Sequence, residues 1–172
     1  MNENRRDMLQ REWPGVLQYA RAVAREDHRA YDLAQEFAVR VLTAKHVPDN
    51  RSAFRRWLFK SLRNLAIDEW RRTKNALQTV DDDYVEPDCN VWRYDDRAIA
   101  KITVGQALLQ LSEDMREIVV LVDLVGFSYA EAGEILDVPK GTVMSRLSRA
   151  RATLLAIVED GTVRVLANRR VN

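Results

Sequence analysis

The sequence has little of what several protein classes require. Its single cysteine, Cys89, excludes a disulfide framework and a zinc site built from several thiolates. No apolar run approaches the roughly 18 residues that cross a membrane, and the charged first residues lack the apolar core of a signal peptide. Six glycines and four prolines among 172 residues are too few for the frequent turns of strand-rich folds. We therefore expect a helical, soluble and cytoplasmic protein of one domain or two small ones.

Most of the groups that carry catalysis are also missing. The two histidines, His28 and His46, do not have a metal-ligand spacing, and no glycine-rich loop could cradle a phosphate. Cys89 lies among acidic residues, which disfavour the thiolate that a nucleophile needs. We therefore expect no enzymatic activity, no cofactor and no metal site.

Charge is distributed unevenly along the chain, although the net charge is only +1. Residues 51–74 contain eight basic and two acidic side chains, and residues 140–170 contain seven basic and two acidic ones. Between them, residues 81–96 contain seven acidic side chains and one basic side chain. Phosphate backbones are bound by local basic surfaces, so both basic blocks are candidates for nucleic-acid binding. A basic run also fits a solvated helix face, and charge alone does not decide between the two.

The spacing of apolar residues divides the chain into two helical pieces. In the first, apolar residues recur at helical spacing around Trp13 and Phe37, and again in a third helix that starts near Ser52. The acidic stretch that follows contains Pro87 and almost no helical periodicity, which is typical of a linker. We predict an all-α fold of two small helical domains joined by an acidic flexible linker. The predicted boundaries are 1–78 for the first domain, 79–97 for the linker, 98–160 for the second domain and 161–172 for a short basic tail.

The second piece has the local signals of a helix-turn-helix. Ser128, with Glu131 three residues later, is a capping box that opens a short helix ending at Leu136. Pro139 then prevents that helix from continuing. A longer basic helix is predicted from about residue 141 to about residue 159. A short helix, a tight turn and a longer basic helix are the pattern of this DNA-binding motif.

The last predicted helix carries two different faces. At about 100° per residue, its apolar residues fall on one stripe: Val143, Leu147, Ala150 and Leu154. Its hydroxyl and guanidinium groups fall on another: Thr142, Ser145, Arg146 and Arg149. Arginine can bind guanine edges or phosphates, and short hydroxyl side chains allow close approach to a groove. An amphipathic core helix with a solvated arginine face gives the same pattern, but the capped helix and turn before it favour DNA binding.

Three segments together resemble a known family. FRRWLFKSLRNLAIDEWRR (54–72) is similar to region two of bacterial sigma factors, and the stretch ALLQLSEDMREIVVLVDLVGFSYAEAGEILDVPKGTVMSRLSRARATL (107–154) is similar to region four. YDLAQEFAVRVL (31–42) resembles the part of region two that holds core RNA polymerase. The closest type is the two-domain extracytoplasmic-function (ECF) group. The resemblance covers most of the chain, in the right order, with a non-matching linker between the two regions.

The resemblance implies a role for each set of residues. Docking on the coiled coil of the polymerase β′ subunit is implied for Asp32, Gln35 and Glu36. Contact with the melted −10 element is implied for Asn50, Arg51, Arg55, Arg56, Asn64, Asp68, Arg71 and Arg72. Reading of the −35 duplex is implied for Lys140, Thr142, Ser145, Arg146 and Arg149. Met144 departs from the family, which often has a basic residue at this position, so one phosphate contact is expected to be missing.

The function implied is that of an alternative sigma factor. Such a factor binds core RNA polymerase, rests on the flap of the β subunit, and directs promoter-specific initiation. The resemblance also implies control by an anti-sigma protein, as in stress responses, and no membrane insertion. Two alternatives stay open at this point: a decoy that mimics a sigma factor to bind an anti-sigma protein, and a stand-alone helix-turn-helix regulator. The decoy needs no DNA-reading surface, and the regulator leaves the basic helix near residues 51–74 without a purpose.

Overall fold

Three helices form the N-terminal half of the molecule. The computed structural model describes residues 5–24, 27–77 and 106–168, and the predicted linker lies outside these residues. The helices are α1 (Arg5–Ala24), α2 (Asp27–Thr43) and α3 (Arg51–Leu77). The side chain of Asn50 caps α3, because its Oδ1 accepts hydrogen bonds from the backbone nitrogens of Ser52 (2.9 Å) and Ala53 (3.2 Å). The third helix thus begins one residue before the start that the sequence predicts.

An arginine ties the start of α1 to the end of α2. The Nη1 atom of Arg5 donates to the carbonyl oxygens of Val41 (3.3 Å), Leu42 (3.0 Å) and Ala44 (2.9 Å). The last carbonyls of a helix have no hydrogen-bond donor within the helix and carry partial negative charge. A guanidinium group placed there donates the missing hydrogen bonds and balances that charge. This contact fixes the first helix pair, against which α3 packs.

Short helices dominate the C-terminal half. Its elements are a helical stretch at 106–110, α4 (Glu113–Val119), a π-helical turn (Val120–Leu124), α5 (Tyr129–Leu136) and α6 (Lys140–Asn168). The backbone nitrogen of Val125 bonds to the carbonyl of Val120 at 2.9 Å, which closes the wider π turn. All elements in the described ranges are helical, so the predicted all-α class is confirmed.

The predicted helix-turn-helix is present as α5 and α6. Ser128 and Glu131 form the capping box: Ser128 Oγ accepts from the Glu131 backbone nitrogen at 3.3 Å, and Glu131 Oε2 accepts from the Ser128 backbone nitrogen at 3.0 Å. The hydrogen bond that Glu131 Oε2 accepts from the Ser128 backbone nitrogen, and next the one it accepts from Ser128 Oγ at 2.7 Å, hold the pKa of Glu131 below its usual range. Asp137 ends α5 in the left-handed conformation, with φ of 55°. A side-chain carbon at Gly133 would lie 2.7 Å from the carbonyl oxygen of Val138, so this tight turn requires glycine there.

Helix α6 is longer than the sequence predicts. It begins at Lys140 and runs to Asn168, past the end predicted near Glu159. Gly161, just beyond that expected end, lies inside the helix. Glycine ends a helix when its backbone turns left-handed, and the helical geometry here continues through this residue.

The two halves pack against each other around one shared core. Phe59 of α3 is fully buried at its centre. Its ring meets Tyr19 of α1 edge-on, with 5.8 Å between centroids, and meets Phe127, just before α5, edge-on at 5.1 Å. The two predicted domains are therefore in direct contact, which the sequence analysis did not anticipate.

Candidate polymerase and nucleic-acid interfaces

Helix α2 presents a mixed polar and apolar face to solvent. Asp32, Gln35 and Glu36, the predicted polymerase-binding residues, are all exposed. Glu36 pairs with Arg40 on the same helix, at 2.6 Å, and such exposed pairs contribute little to stability. Large apolar side chains are exposed on the same helix: Tyr31, Val39 and Leu42. The sequence analysis missed this apolar part, although Gln35, Val39 and Leu42 share one helix face.

The outer half of α3 is open to solvent. Four predicted −10 residues are exposed there, namely Asn64, Asp68, Arg71 and Arg72. Asn64 and Asp68 lie one turn apart, so an amide and a carboxylate stand side by side, with two guanidinium groups on the next turn. The side chain of Trp70 is also 60% exposed in this region. An exposed indole beside cations is suited to stacking on an unpaired base. The helical spacing of the apolar residues predicts Trp70 on the packed side of this helix, and its exposure corrects that prediction.

The predicted −10 residues at the start of α3 are less accessible as a group than those in its outer half. Arg51 is exposed, whereas the side-chain oxygen of Asn50 is used in the helix cap. Arg55 donates from Nε to Glu12 Oε2 at 2.8 Å and from Nη2 to the carbonyl oxygen of Val125, and its guanidinium carbon lies 4.1 Å from the centroid of the Phe127 ring. Arg55 thus already has partners within the chain. The neighbouring Arg56 also has partners, which are acidic residues of α5.

Arg56 points to helix α5. Its Nε atom lies 3.1 Å from Glu134 Oε2, and its Nη1 atom lies 3.6 Å from Glu131 Oε1. One helical turn on, Lys60 bonds through Nζ to Asp137 Oδ1 at 2.6 Å and to the carbonyl oxygen of Glu134 at 3.3 Å. The basic side of α3 that faces the C-terminal half is therefore matched by acidic groups.

The predicted −35 face of α6 is displayed on one side of the helix. Lys140, Ser145 and Arg149 are exposed, and Thr142 is half-buried. Arg146 is held by Asp114, with 2.9 Å between Nη1 and Oδ2. On the opposite side Val143, Leu147 and Ala150 are buried in the core, as the predicted apolar stripe requires. The face with the DNA-binding pattern is thus presented by a helix whose other side is firmly packed.

A small cleft lies beside this face. It measures about 230 Å³ and is lined by Tyr129, Met144, Leu147, Ser148 and Arg151. Met144 is 49% exposed and lines this cleft.

A buried polar cluster joins α1, α3 and α4. Tyr19 donates its hydroxyl to Glu117 Oε1 at 3.2 Å, and Arg63 donates Nε to Glu117 Oε2 at 3.3 Å. Burial raises the pKa of Glu117, and the attraction of Arg63 opposes that rise. Burial also raises the pKa of Tyr19 well above its ordinary value, and the Glu117 carboxylate adds to the effect. A largely buried ion pair between Arg63 and Glu117 therefore connects the two halves, next to the aromatic contact.

Two features are absent from the described residues. Within 5–24, 27–77 and 106–168, no helix has the length and apolarity to span a membrane. The same residues contain no group of three or more histidine, cysteine or acidic side chains placed to hold a metal ion.

Both halves match families of known function. Residues 8–76 match the family described as sigma-70 region 2, and residues 101–154 match the family described as sigma-70, region 4. The first match spans α1 to α3, and the second spans α4 to the middle of α6. Two such regions in this order define a bacterial sigma factor.

Two related proteins and one solved structure indicate which group of sigma factors this chain is similar to. The ECF RNA polymerase sigma factor EcfG of Rhodopseudomonas palustris is 29% identical over 92% of this chain and 87% of that protein. The probable RNA polymerase sigma-C factor of Mycobacterium bovis is 31% identical over 76% of this chain and 70% of that protein. The sigma factor RpoE of Bartonella quintana, solved in complex with the anti-sigma factor NepR, superposes with a TM-score of 0.68 at 27% identity, covering 88% of this chain and 94% of that one.

This chain belongs to the ECF group of RNA polymerase sigma factors. It is an alternative sigma factor, which directs RNA polymerase to specific promoters. Sigma factors are DNA-binding factors that act in transcription initiation.

Proposed function

We propose that three separate faces divide the work of initiation. The mixed face of α2 binds core RNA polymerase, the outer half of α3 captures the separated −10 strand, and the basic face of α6 reads the −35 duplex. The observation that carries this proposal is that α3 and α6 each present an exposed polar and basic face. A decoy for an anti-sigma protein would have no use for either.

The chemistry of each DNA-binding face suits its proposed target. On α6, Arg149 and Ser145 are exposed side by side on a helix that can enter a major groove, where bases are distinguished by their edges. On α3, Asn64 and Asp68 can hydrogen-bond an unstacked base, Trp70 can stack on it, and Arg71 can follow the phosphates. A duplex reader and a single-strand reader are what the two promoter elements require.

The mixed face of α2 suits a protein partner. Its exposed valine and leucine, Val39 and Leu42, supply apolar area, and Asp32 and Glu36 supply negative charge for a basic surface of the β′ coiled coil. The cleft beside α6 provides a second apolar site on the C-terminal half, lined by Tyr129 and Met144, which suits the β flap.

We also propose that an anti-sigma protein controls this factor. The support is the superposition on a sigma factor solved with its anti-sigma factor, which covers 88% of this chain and therefore extends over both halves. The protein is proposed to act in the cytoplasm, where polymerase and DNA are, and to have no catalytic activity of its own. The bond-forming chemistry then belongs to the polymerase.

The deciding experiment is transcription in vitro with core polymerase that lacks any sigma factor, on a pool of genomic promoter fragments. We expect specific transcripts with the wild-type chain and their loss with Arg146→Ala plus Arg149→Ala. Arg11→Ala is the matched control, because Arg11 is an exposed arginine of α1 that lies on none of the proposed binding faces. If the wild-type chain gave no transcripts and did not bind core polymerase, the proposal would be wrong, and a decoy or a stand-alone regulator would replace it.

A further inference from the structure

Two arginines stand at opposite edges of the exposed side of α6, and each is held by an acidic residue from an earlier element. Arg146 pairs with Asp114 in the first turn of α4, with 2.9 Å between Nη1 and Oδ2. Arg151 pairs with Asp123 of the π-helical turn: Nε donates to Oδ2 at 3.1 Å, and Nη2 donates to Oδ1 at 2.5 Å. Because the second pair has two parallel bonds, it fixes the plane of the guanidinium as well as its position.

Helix geometry places these arginines on the two sides of the face that we propose reads DNA. At 100° per residue, Arg151 lies about 140° around the helix axis from Arg146. The buried stripe through Leu147 and Ala150 lies within that angle. The wider sector outside it is open to solvent, and its exposed side chains include Ser145, Ser148 and Arg149. The two ion pairs therefore flank the exposed sector.

A helix in the major groove turns its edges towards the two phosphate backbones. The groove is about 12 Å wide, and a helix with its side chains is about 10–12 Å across, so little space is left on either side. Side chains on the outermost line then meet base edges, whereas cations at the edges meet phosphates, which position the helix without reading sequence. The side chains of Arg146 and Arg151 are 30% and 51% exposed, so a phosphate can reach both.

The π-helical turn holds Asp123 firmly beside Arg151. Val120 and Leu121 of this turn are buried, and the turn is closed by the 2.9 Å bond from the Val125 nitrogen to the Val120 carbonyl. The hydrogen bond to Asp123, and then the attraction of its charge, raise the pKa of Arg151, so the pair favours the charged guanidinium. Carboxylate and phosphate oxygens are equivalent ligands for arginine. A phosphate at this edge must therefore compete with Asp123.

We infer that Arg151 binds a backbone phosphate of the −35 duplex, and that Asp123 weakens this contact by competing for the guanidinium. Asp114 stands in the same relation to Arg146 at the other edge. The competition acts on the sequence-independent part of binding, so it lowers affinity for duplex DNA of any sequence. This inference rests on the proposed function, since it concerns the same helix. It adds a DNA contact at a residue for which the family resemblance implies none.

A double-mutant cycle on the full chain tests the competition. Its four proteins are the wild type, Asp123→Asn, Arg151→Ala and the double variant. The measured quantity is affinity for a short fluorescein-labelled duplex of mixed sequence at low salt. No polymerase is present, so the cleft proposed for the β flap plays no part. We expect Asp123→Asn to tighten binding about two- to fivefold, the range of an exposed ion pair, and to have no such effect in the Arg151→Ala background.

The dependence on salt identifies phosphate as the ligand. Arg151→Ala should weaken binding and reduce the slope of log affinity against log salt by up to about 0.9, as the loss of one phosphate contact predicts. Arg151→Gln keeps a donor for Asp123 and most of the side-chain volume, so it should fold normally and lose the same slope. Arg151→Lys keeps the cation and should keep the slope.

A change in net charge alone is excluded by a control. Asp7→Asn removes an exposed carboxylate from α1 and should change affinity less, and equally with and without Arg151. The inference would be overturned by a gain from Asp123→Asn that persists without Arg151, or by equal slopes for the wild type and Arg151→Gln. If these variants matched the wild type while Arg146→Ala plus Arg149→Ala still lost its transcripts, the proposed function would stand. Absence of transcription by the wild-type chain would contradict the proposed function instead.

Discussion

Helices α3 and α6 are both long and basic, yet their charges are placed in opposite ways. On α6, the cations Lys140 and Arg149 stand in solvent, and Arg146 pairs within its own half. On α3, Arg55, Arg56 and Lys60 contact the C-terminal half, whereas Arg51 at the start and Arg71 and Arg72 near the end are exposed. The comparison shows that a run of basic residues at helical spacing locates positive charge, but does not establish whether that charge is accessible to a binding partner. Availability is set by what packs beside the helix.

The largest effect we expect is a loss of stability when Phe59, which joins the two halves, is replaced. Phe59→Ala removes the ring that contacts both Tyr19 and Phe127, and emptying a buried phenylalanine site costs about 3–5 kcal/mol. Urea unfolding should show one cooperative transition shifted by this amount. Leu155→Ala, at a site 60% exposed, is the control and should change stability by less than about 0.5 kcal/mol. Two separate transitions, with one unshifted, would show that the halves unfold independently.

The next effect distinguishes two arginines on α6. Arg149 is exposed, but Arg146 must leave Asp114 before it can bind DNA. Each direct contact with a base edge contributes about 1–3 kcal/mol, so Arg149→Ala should weaken binding to a −35 duplex more than Arg146→Ala does. Fluorescence anisotropy measures both. In an Asp114→Asn background the two losses should become more nearly equal; a gap that stays the same would mean that Asp114 does not restrain Arg146.

Asn50 allows a smaller and cleaner test on α3. Asn50→Ala removes the helix cap and should cost about 1 kcal/mol, while Asn50→Asp keeps an oxygen for the cap and should leave the stability nearly unchanged. Thermal unfolding separates the two. If the amide nitrogen, which the cap does not use, contacts a base, Asn50→Asp should weaken capture of the −10 strand without loss of stability. Equal stability losses in both variants would show that the cap contributes little.

The smallest effect we expect is a change in the free energy of unfolding with pH, caused by Glu117. Burial raises the pKa of Glu117 above its value in the unfolded chain, so protonation is easier in the folded state. Its contribution to the free energy of unfolding is therefore fully present below the unfolded value near 4.5 and is lost as pH rises through the folded value. Relative to Glu117→Gln, the wild-type chain should gain stability as pH falls from neutrality towards that range. Denaturant titrations at several pH values measure the difference; a difference independent of pH would mean that the pKa is not raised.

Local signals in the sequence predicted the local structure well. The capping box at Ser128 and Glu131, the end of α5 at Leu136, and the buried stripe through Val143 and Leu147 are all confirmed. These features depend on residues three or four apart, so the information lies within one short segment. The end of α6 was predicted less well, because glycine permits a helix end at position 161 but does not require one.

The contact between the halves could not be predicted in the same way. Phe59 lies within a predicted helix, and Phe127 directly precedes the predicted helix cap at Ser128. Nothing in either segment identifies the other phenylalanine as its packing partner. The same holds for Arg55, whose acceptor is a backbone carbonyl at Val125. The assignment of −10 and −35 roles to single residues stays a prediction, because it depends on the family resemblance and on binding experiments.

The shared aromatic core also limits how such a chain can be recombined. A chimera that joins the first half of this protein to the second half of a relative keeps Phe59 but gains whatever residue the relative has in place of Phe127. It also places a foreign residue opposite Gly15, where space is tight. The two halves are therefore expected to change together over evolution, and a transplanted promoter specificity needs its matching interface carried along with it.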